Sequence, residues 1–235
     1  MKLYLSTTQT HAPGAWWEEG VVHVHACMAR DGAHDWGHLL RVHMLSRQIW
    51  EEEYEASSDA LSMEREESWC TLALATLFHD VVNVPKNSPQ RALASTLSAD
   101  HAVEWAKVNT DLTSRQLEGL HHTISAHSYS AGLEARTLEA RVLSDADKLD
   151  ALGAIGIART FAVSGKLDLL LAHHEDPLGV KGRLHDDSRY GVDHFYCKLF
   201  ELKNRMYTSR GRKLAEEREH FMRDFLDQLA LEMLG

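Results

Sequence analysis

Apolar residues recur along most of this chain every three to four positions, the spacing that gathers them on one face of an α-helix. Strand signals are scarce, and the short alternating stretch Val21–His25 lies inside a longer helical pattern. Breaks fall at turn-forming pairs such as Asp31-Gly32 and Val84-Pro85. The predicted helices cover about 16–29, 34–53, 62–80, 88–108, 113–126, 134–146, 148–163, 190–206 and 208–233.

This pattern predicts an all-α fold, a single-domain helical bundle over residues 15–235 that follows a flexible tail at residues 1–14. Residues 164–189 are the least regular part of the pattern. In a helical bundle, a pocket between helices is the natural place for a functional site.

The first candidate residue for chemistry is His38, on the core-facing side of the helix predicted at 34–53. His34 lies one turn earlier on that face, and Arg41 lies one turn later. A histidine in this position either binds a ligand or is a core side chain satisfied by a backbone carbonyl. The apolar residues that share its face are Val42, Leu45 and Ile49.

A second candidate follows the most apolar helix of the chain. No charged residue occurs from Trp69 to Phe78, and the run then ends in His79-Asp80. An ionisable pair after such a run is costly to bury unless it is paired or bound to a metal. Neighbouring helical residues point about 100° apart, so both side chains can reach one cation only beside the helix end. The alternative is an ordinary polar helix terminus.

Three aspartates interrupt the small, apolar stretch from Ala140 to Gly165. Asp145 could cap a helix, as could the serine before it, but capping does not explain all three acids. Asp147 shares a helical face with apolar residues and is expected to point inward. Lys148 is placed to touch a phosphate or to pair with an acid. The third acid is Asp150.

Composition narrows the class of partner. The formal net charge of -10 argues against a broad positive surface for nucleic acid, so a small anionic substrate would need a metal or a few local cations. The cysteines are too far apart for a zinc knuckle and are interpreted as buried free thiols in a reducing cytosol. Without an apolar run near the roughly 18 residues of a membrane span, or a signal-peptide pattern, the chain is predicted to be cytoplasmic. The three thiols are Cys27, Cys70 and Cys197.

Two imidazoles and two carboxylates from three helical segments form a mixed nitrogen and oxygen ligand set for one divalent cation. Mn²⁺ is favoured, Fe²⁺, Co²⁺, Ni²⁺ and Zn²⁺ are compatible, and Mg²⁺ is less so. Such a cation polarises phosphorus and lowers the pKa of water, which indicates phosphate chemistry. The candidate ligands are His38, His79 and Asp80, with Asp147 or its neighbour Asp145 as the fourth.

The ordered set of a histidine, a His-Asp pair and a late aspartate resembles the HD-domain phosphohydrolase superfamily. The segments that carry the likeness are AHDWGH, FHDVVNVPKNSPQR, HHTISAHSYS, DADKLDALGAIG and DHFYCKL, and they are most similar to its small single-domain bacterial YedJ-like branch. The resemblance spans about residues 30–225 and implies a helical bundle of the HD type. It also implies that Asp147, rather than Asp145, is the fourth ligand.

Further residues are candidates for contact with a phosphorylated substrate. Lys148 and His34 would stabilise charge on the phosphoryl oxygens, and Asp80 could accept a proton as well as bind the metal. His122 and His127 occur in an interval where some HD proteins bind a second metal, but phosphate contact or water orientation is preferred here. The other candidates for substrate binding are Arg41, Lys86, Asn87, Arg91 and Lys198, the last in a cluster with Arg189, Tyr190 and His194.

The expected activity is therefore metal-dependent hydrolysis of a phosphate ester or anhydride. Resemblance to the bacterial branch favours nucleotides, with nucleoside triphosphate pyrophosphohydrolase first, 5′-nucleotidase second, and hydrolysis of cyclic nucleotides or alarmones third. The alternatives are a non-catalytic module that binds metal and nucleotide, and a purely structural metal. The oligomeric state is left open between monomer and homodimer.

Overall fold

A computed structural model describes residues 16–28, 36–55, 62–84, 88, 90–128 and 131–235. Within these ranges the regular structure is helical, apart from one isolated bridge between Leu170 and Tyr190, so the all-α prediction is confirmed. In the same ranges, 3₁₀ helices cover Arg91–Leu93 and Leu199–Arg205. The α-helices are α1 Trp16–Met28, α2 Trp36–Glu55, α3 Ser62–Phe78, α4 Ala94–Asn109, α5 Ser114–His127, α6 Leu138–Asp150, α7 Gly153–Lys166, α8 Asp193–Cys197 and α9 Ser209–Leu234.

The described residues form two compact units, which meet in sequence between Ala146 and Asp147. In the first unit α3 is the central element, because it packs against α1, α2, α4 and α5. Its apolar run explains that position: every residue from Leu72 to Phe78 is buried. The uncharged run of this helix is therefore its buried part.

The start of α5 shows how local sequence sets an element. The Thr113 hydroxyl accepts the Gln116 N–H, and the Gln116 side chain accepts the Thr113 N–H in return. This reciprocal capping box satisfies two amide donors that a helix start leaves without helical partners. It fixes where α5 begins, and α5 then runs unbroken to His127.

The second unit is built on the long helix α9, which packs against α7 and against the 3₁₀ helix Leu199–Arg205. The irregular segment before α8 is held by an ion pair: the half-buried Arg183 guanidinium donates to both carboxylate oxygens of the fully buried Asp193. The same guanidinium donates to the carbonyls of Asp176 and Pro177. This ion pair orders a segment that has little regular structure.

Several predicted boundaries are wrong. Asp147 does not lie between two helices, because α6 continues to Asp150 and the break comes at residues 151–152. Neither Ser144 nor Asp145 begins a helix, since both lie well inside α6. The helix predicted at 88–108 starts only at Ala94, and the one predicted at 62–80 ends at Phe78.

The thiols differ from their predicted burial. Cys27 and Cys70 are half-buried and Cys197 is exposed. Among the helices of the described ranges, none is long and apolar enough to cross a membrane. The predicted tail at 1–14 lies outside the described residues. Three candidate site residues also lie outside them: His34, Lys86 and Asn87. One domain over 15–235 stays a prediction.

Candidate metal centre

The His-Asp pair lies in the turn that directly follows α3. The helix ends at Phe78, and the Val81 N–H bonds back to the Phe78 carbonyl at 3.1 Å. The next amide, that of Val82, donates to the Ser98 hydroxyl of α4 at 3.1 Å. These bonds fix the turn, with the His79 side chain fully buried and the Asp80 side chain 32% exposed.

His38, the third residue of α2, faces this pair. Its imidazole is buried, and its Nε2 atom lies 3.2 Å from the His79 Nε2 and 3.9 Å from an Asp80 oxygen. The structure therefore brings together His38, His79 and Asp80, the three predicted ligands of the first unit.

His127 also faces the His-Asp pair, although the sequence placed it among the substrate contacts. It is the last residue of α5 and is buried. Its Nε2 lies 3.9 Å from the second Asp80 oxygen, and its ring stands nearly perpendicular to that of His79 at 5.1 Å between centroids. His79, Asp80 and His127 each offer a ligand atom within 4.8 Å of the others. A metal-ligand role thus has direct geometric support for His127.

Backbone hydrogen bonds orient two of these imidazoles in the same way. The His79 Nδ1 donates to the Thr76 carbonyl at 2.8 Å, and the His127 Nδ1 donates to the Ile124 carbonyl at 2.6 Å. With the Nδ1 proton committed, each neutral ring carries its lone pair on Nε2. That atom faces the His38 Nε2 in His79 and an Asp80 oxygen in His127. This is how proteins commonly fix the tautomer of a metal-binding histidine.

The distances suit a first-row divalent cation. Two nitrogens about 2.1 Å from one ion lie roughly 3.0 Å apart at a right angle and about 3.4 Å apart at a tetrahedral angle. The 3.2 Å between the Nε2 atoms of His38 and His79 falls between these values. The donor set of imidazole nitrogens with one carboxylate therefore fits such a cation.

Asp147 and Lys148 belong to the last turn of α6. The Asp147 side chain is half-buried, whereas Asp145 is fully buried. One turn earlier, the Ser144 hydroxyl donates to the His127 carbonyl at 2.9 Å, which ties α6 to the end of α5. The Lys148 ammonium lies 4.8 Å from the centre of the Tyr207 ring.

Two other candidates have structural partners of their own. Arg91 donates to the Val84 carbonyl at 2.7 Å, so its guanidinium is tied to the loop after the His-Asp pair. The His122 Nε2 accepts the Arg136 N–H at 3.2 Å, and that nitrogen already holds the following loop. Burial foremost, and then the Arg136 charge, lowers the pKa of His122 below its ordinary value. Because α5 does not end between them, His122 and His127 point in different directions.

The cluster of Arg189, Tyr190, His194 and Lys198 does not lie on one helical face. The prediction of a continuous helix at 190–206 is wrong. Only Asp193–Cys197 is α-helical; Tyr190 precedes it and the exposed Lys198 follows it with non-helical backbone angles. His194 instead contacts Asp187 at 2.9 Å. Arg41 lies on α2 one turn beyond His38, as its position predicts.

Comparison with known proteins shows the family to which the chain belongs. The HD domain family model matches residues 35–152. The protein YpgQ of Bacillus subtilis is 31% identical over 207 residues, which are 86% of this chain and 85% of YpgQ.

Solved structures extend the likeness to the fold. An HD-superfamily hydrolase from Bacillus thuringiensis superposes with a TM-score of 0.67 at 27% identity, over 92% of this chain and 95% of that one. The structure of Bacillus subtilis YpgQ in complex with ADP gives a TM-score of 0.64 at 27% identity, over 92% and 93% of the two chains. The chain therefore belongs to the HD domain family of metal-dependent phosphohydrolases.

Proposed function

We propose that this protein hydrolyses nucleotides, with nucleoside triphosphates as the first-choice substrates and pyrophosphate as the product released. The observation that carries the proposal is that the Nε2 atoms of His38 and His127 each lie 3.9 Å from an Asp80 oxygen, while the His79 Nε2 lies 3.2 Å from that of His38. The ligand of YpgQ supports the substrate class, because that relative was crystallised with ADP.

The proposed metal ligands are His38, His79, Asp80 and Asp147, and the approach of His127 to Asp80 supports that histidine as a further candidate. Support for Asp147 comes from its place on α6: it lies three residues after Ser144, which bonds to the His127 carbonyl, and residues three apart share a helix face. Asp145 is not on that face and is proposed as a hydrogen-bond acceptor in the interior. Mn²⁺ is the favoured cation for this mixed set.

A bound divalent cation supplies Lewis acidity toward a phosphoryl oxygen and a lowered pKa for water. Among the three ligands of the first unit, Asp80 is the most accessible, with 32% of its side chain exposed against 8% for His38. We therefore place the approach of the substrate on the Asp80 side, where this carboxylate can also accept a proton. Lys148 and His34 are proposed to bind phosphoryl oxygens.

Attraction of the phosphates must be local, because the chain carries a net charge of -10. We propose that the residues after the His-Asp pair supply the local positive charge that attracts the phosphates. Arg91 is tied to them through the Val84 carbonyl, and Lys86 belongs to the same stretch of sequence. With the metal, these cations would hold the triphosphate beside Asp80.

The test is turnover of metal-free protein, reloaded with Mn²⁺, across nucleoside triphosphates, monophosphates and cyclic nucleotides, with phosphate and pyrophosphate measured separately. Pyrophosphate from triphosphates is expected, and His79→Ala should lower the rate on the order of a hundredfold or more. The matched control is His220→Ala, an exposed histidine of α9, which should turn over as wild type does. Phosphate release from monophosphates alone would replace the proposal with a 5′-nucleotidase. Nucleotide binding without turnover would replace it with a binding module.

A further inference from the structure

A second group of potential metal ligands lies outside the His-Asp site. His23 and Cys27 come from α1, four residues apart and so on one helix face. His101 comes from α4. The two Nε2 atoms lie 2.8 Å apart, and the Cys27 Sγ lies 3.7 Å from the His23 Nε2. All three ligand atoms lie within 4.8 Å of one another.

These residues lie against aromatic side chains and are partly shielded from solvent. The His23 ring stacks on Phe78 at 5.9 Å, and the His101 ring lies 6.2 Å from the same phenyl group. Trp105 closes another side, 6.0 Å from His23. All three candidate ligands are half-buried. The aromatic side chains limit how the two imidazoles can turn, so their nitrogens stay directed at each other.

A glycine brings the helices close enough for the group to form. At Gly20 of α1, an added Cβ would lie 3.0 Å from Leu77 and 3.3 Å from Trp105. The missing side chain lets α1 approach α3 and α4, one turn before His23. The cluster therefore depends on the packing of three helices and not on a single flexible loop.

The donor types and distances fit Zn²⁺. Two imidazoles and one thiolate are ligands that this borderline-soft ion prefers. In a tetrahedral site, Zn–N near 2.1 Å and Zn–S near 2.3 Å put nitrogen and sulfur roughly 3.6 Å apart and two nitrogens about 3.4 Å apart. The nitrogen–sulfur distance already agrees at 3.7 Å, and the imidazoles need to separate by only about half an ångström.

We infer that His23, Cys27 and His101 form a second, sulfur-containing metal site that binds Zn²⁺ and joins α1 to α4. Its ligand set differs chemically from that of the His-Asp centre, which offers nitrogen and oxygen alone. The two sites are neighbours in the chain, since Phe78, which packs on both histidines of the new site, directly precedes His79. The fourth coordination position is left for water or another small ligand.

Cobalt substitution tests the inference, because Co²⁺ bound to a thiolate shows a near-ultraviolet charge-transfer band that nitrogen and oxygen ligands do not give. Metal-free, reduced wild-type protein titrated with Co²⁺ should show the band, and so should His79→Ala. Cys27→Ser and His101→Asn should lose it and bind one equivalent fewer than wild type. The matched control is Cys70→Ser, whose thiol is also half-buried and which should keep the band.

Circular dichroism establishes that each variant is folded before titration. Absence of the band in wild type, or its full retention in folded Cys27→Ser, would overturn the site. Loss in Cys70→Ser together with retention in His101→Asn would assign the sulfur ligand elsewhere and would overturn it equally. A second readout is thermal stability: Zn²⁺ should raise the Tm of His79→Ala but not that of the His79→Ala, Cys27→Ser double variant.

Discussion

His43 offers a prediction about stability and pH, because its imidazole is held neutral inside the first unit. The ring is 8% exposed and lies between the indoles of Trp17 and Trp69, at 4.7 and 5.4 Å. Its Nδ1 lies 2.9 Å from the Thr76 hydroxyl, whose own proton is donated to the Ala73 carbonyl. The hydroxyl oxygen must therefore accept, and the His43 Nδ1 carries the proton.

Burial, and to a lesser extent the charge of Arg47, lowers the pKa of His43 from 6.5 to about 4. The unfolded chain thus takes up a proton near pH 6.5, while the folded protein resists it until near pH 4. The contribution of His43 to the free energy of unfolding is fully present above its pKa in the unfolded chain. It is lost as the pH falls toward its pKa in the folded protein. The loss approaches about 1.4 kcal/mol per pH unit and amounts to roughly 2 kcal/mol between about pH 7 and pH 5.

Urea denaturation of wild type and His43→Asn, measured from neutral pH to about pH 5 with a chelator present, tests this. The asparagine amide can still donate to Thr76 but does not titrate. The variant should be less stable at neutral pH, and its deficit should shrink by about 2 kcal/mol at the acidic end. His220→Asn, at an exposed position, is the control and should follow wild type at every pH. Parallel curves for wild type and His43→Asn would refute the reasoning.

Two predictions concern the irregular segment of the second unit. Asp193→Asn removes the buried charge that pairs with the half-buried Arg183 and should cost about 3 kcal/mol, seen as a lower midpoint in urea. A change below about 1 kcal/mol would show that the pair does not order the segment. Gly179→Ala places a Cβ 2.6 Å from the His185 ring at a φ of +72°, whereas Gly182→Ala meets only the strain of φ +92°. Both should lower Tm, the first by more, and equal losses would contradict the predicted clash.

Much of the centre could be predicted from the chain because its signals are local. The apolar run before His79-Asp80 shows that the pair ends a buried helix, and the apolar stripe of α2 shows that His38 faces the core. Both conclusions depend only on helix periodicity. In the structure, the His38 Nε2 lies within 4 Å of both the His79 Nε2 and an Asp80 oxygen.

The position of His127 could not be read from periodicity, because it depends on how α5 packs against α3. One signal was available in the sequence: the run Thr123–Ala126 before His127 contains no charged residue, and the structure shows that run and the histidine to be buried. The extent of α6 was missed for another reason. The polar residues of this stretch predict a break at Asp147, but the buried Leu143, Ala146 and Leu149 continue the apolar face of α6 past it to Asp150.

The helix predicted at 190–206 failed because spacing alone cannot reveal backbone angles. Tyr190 and Lys198 are eight residues apart, which suits one helix face, yet Lys198 has a φ of -139° and ends α8. The segment is set by the Arg183–Asp193 ion pair, a contact between residues ten apart with no periodic signal.

The central claim is that His38, with the His-Asp pair, holds the cation required for hydrolysis. Calorimetric titration of Mn²⁺ into metal-free protein, with turnover measured on the same samples, tests it most directly. His38→Ala should lose Mn²⁺ affinity and rate together, each on the order of a hundredfold. His220→Ala, the control at an exposed position of α9, should keep both. Mn²⁺ binding and turnover at wild-type levels in His38→Ala would contradict the account.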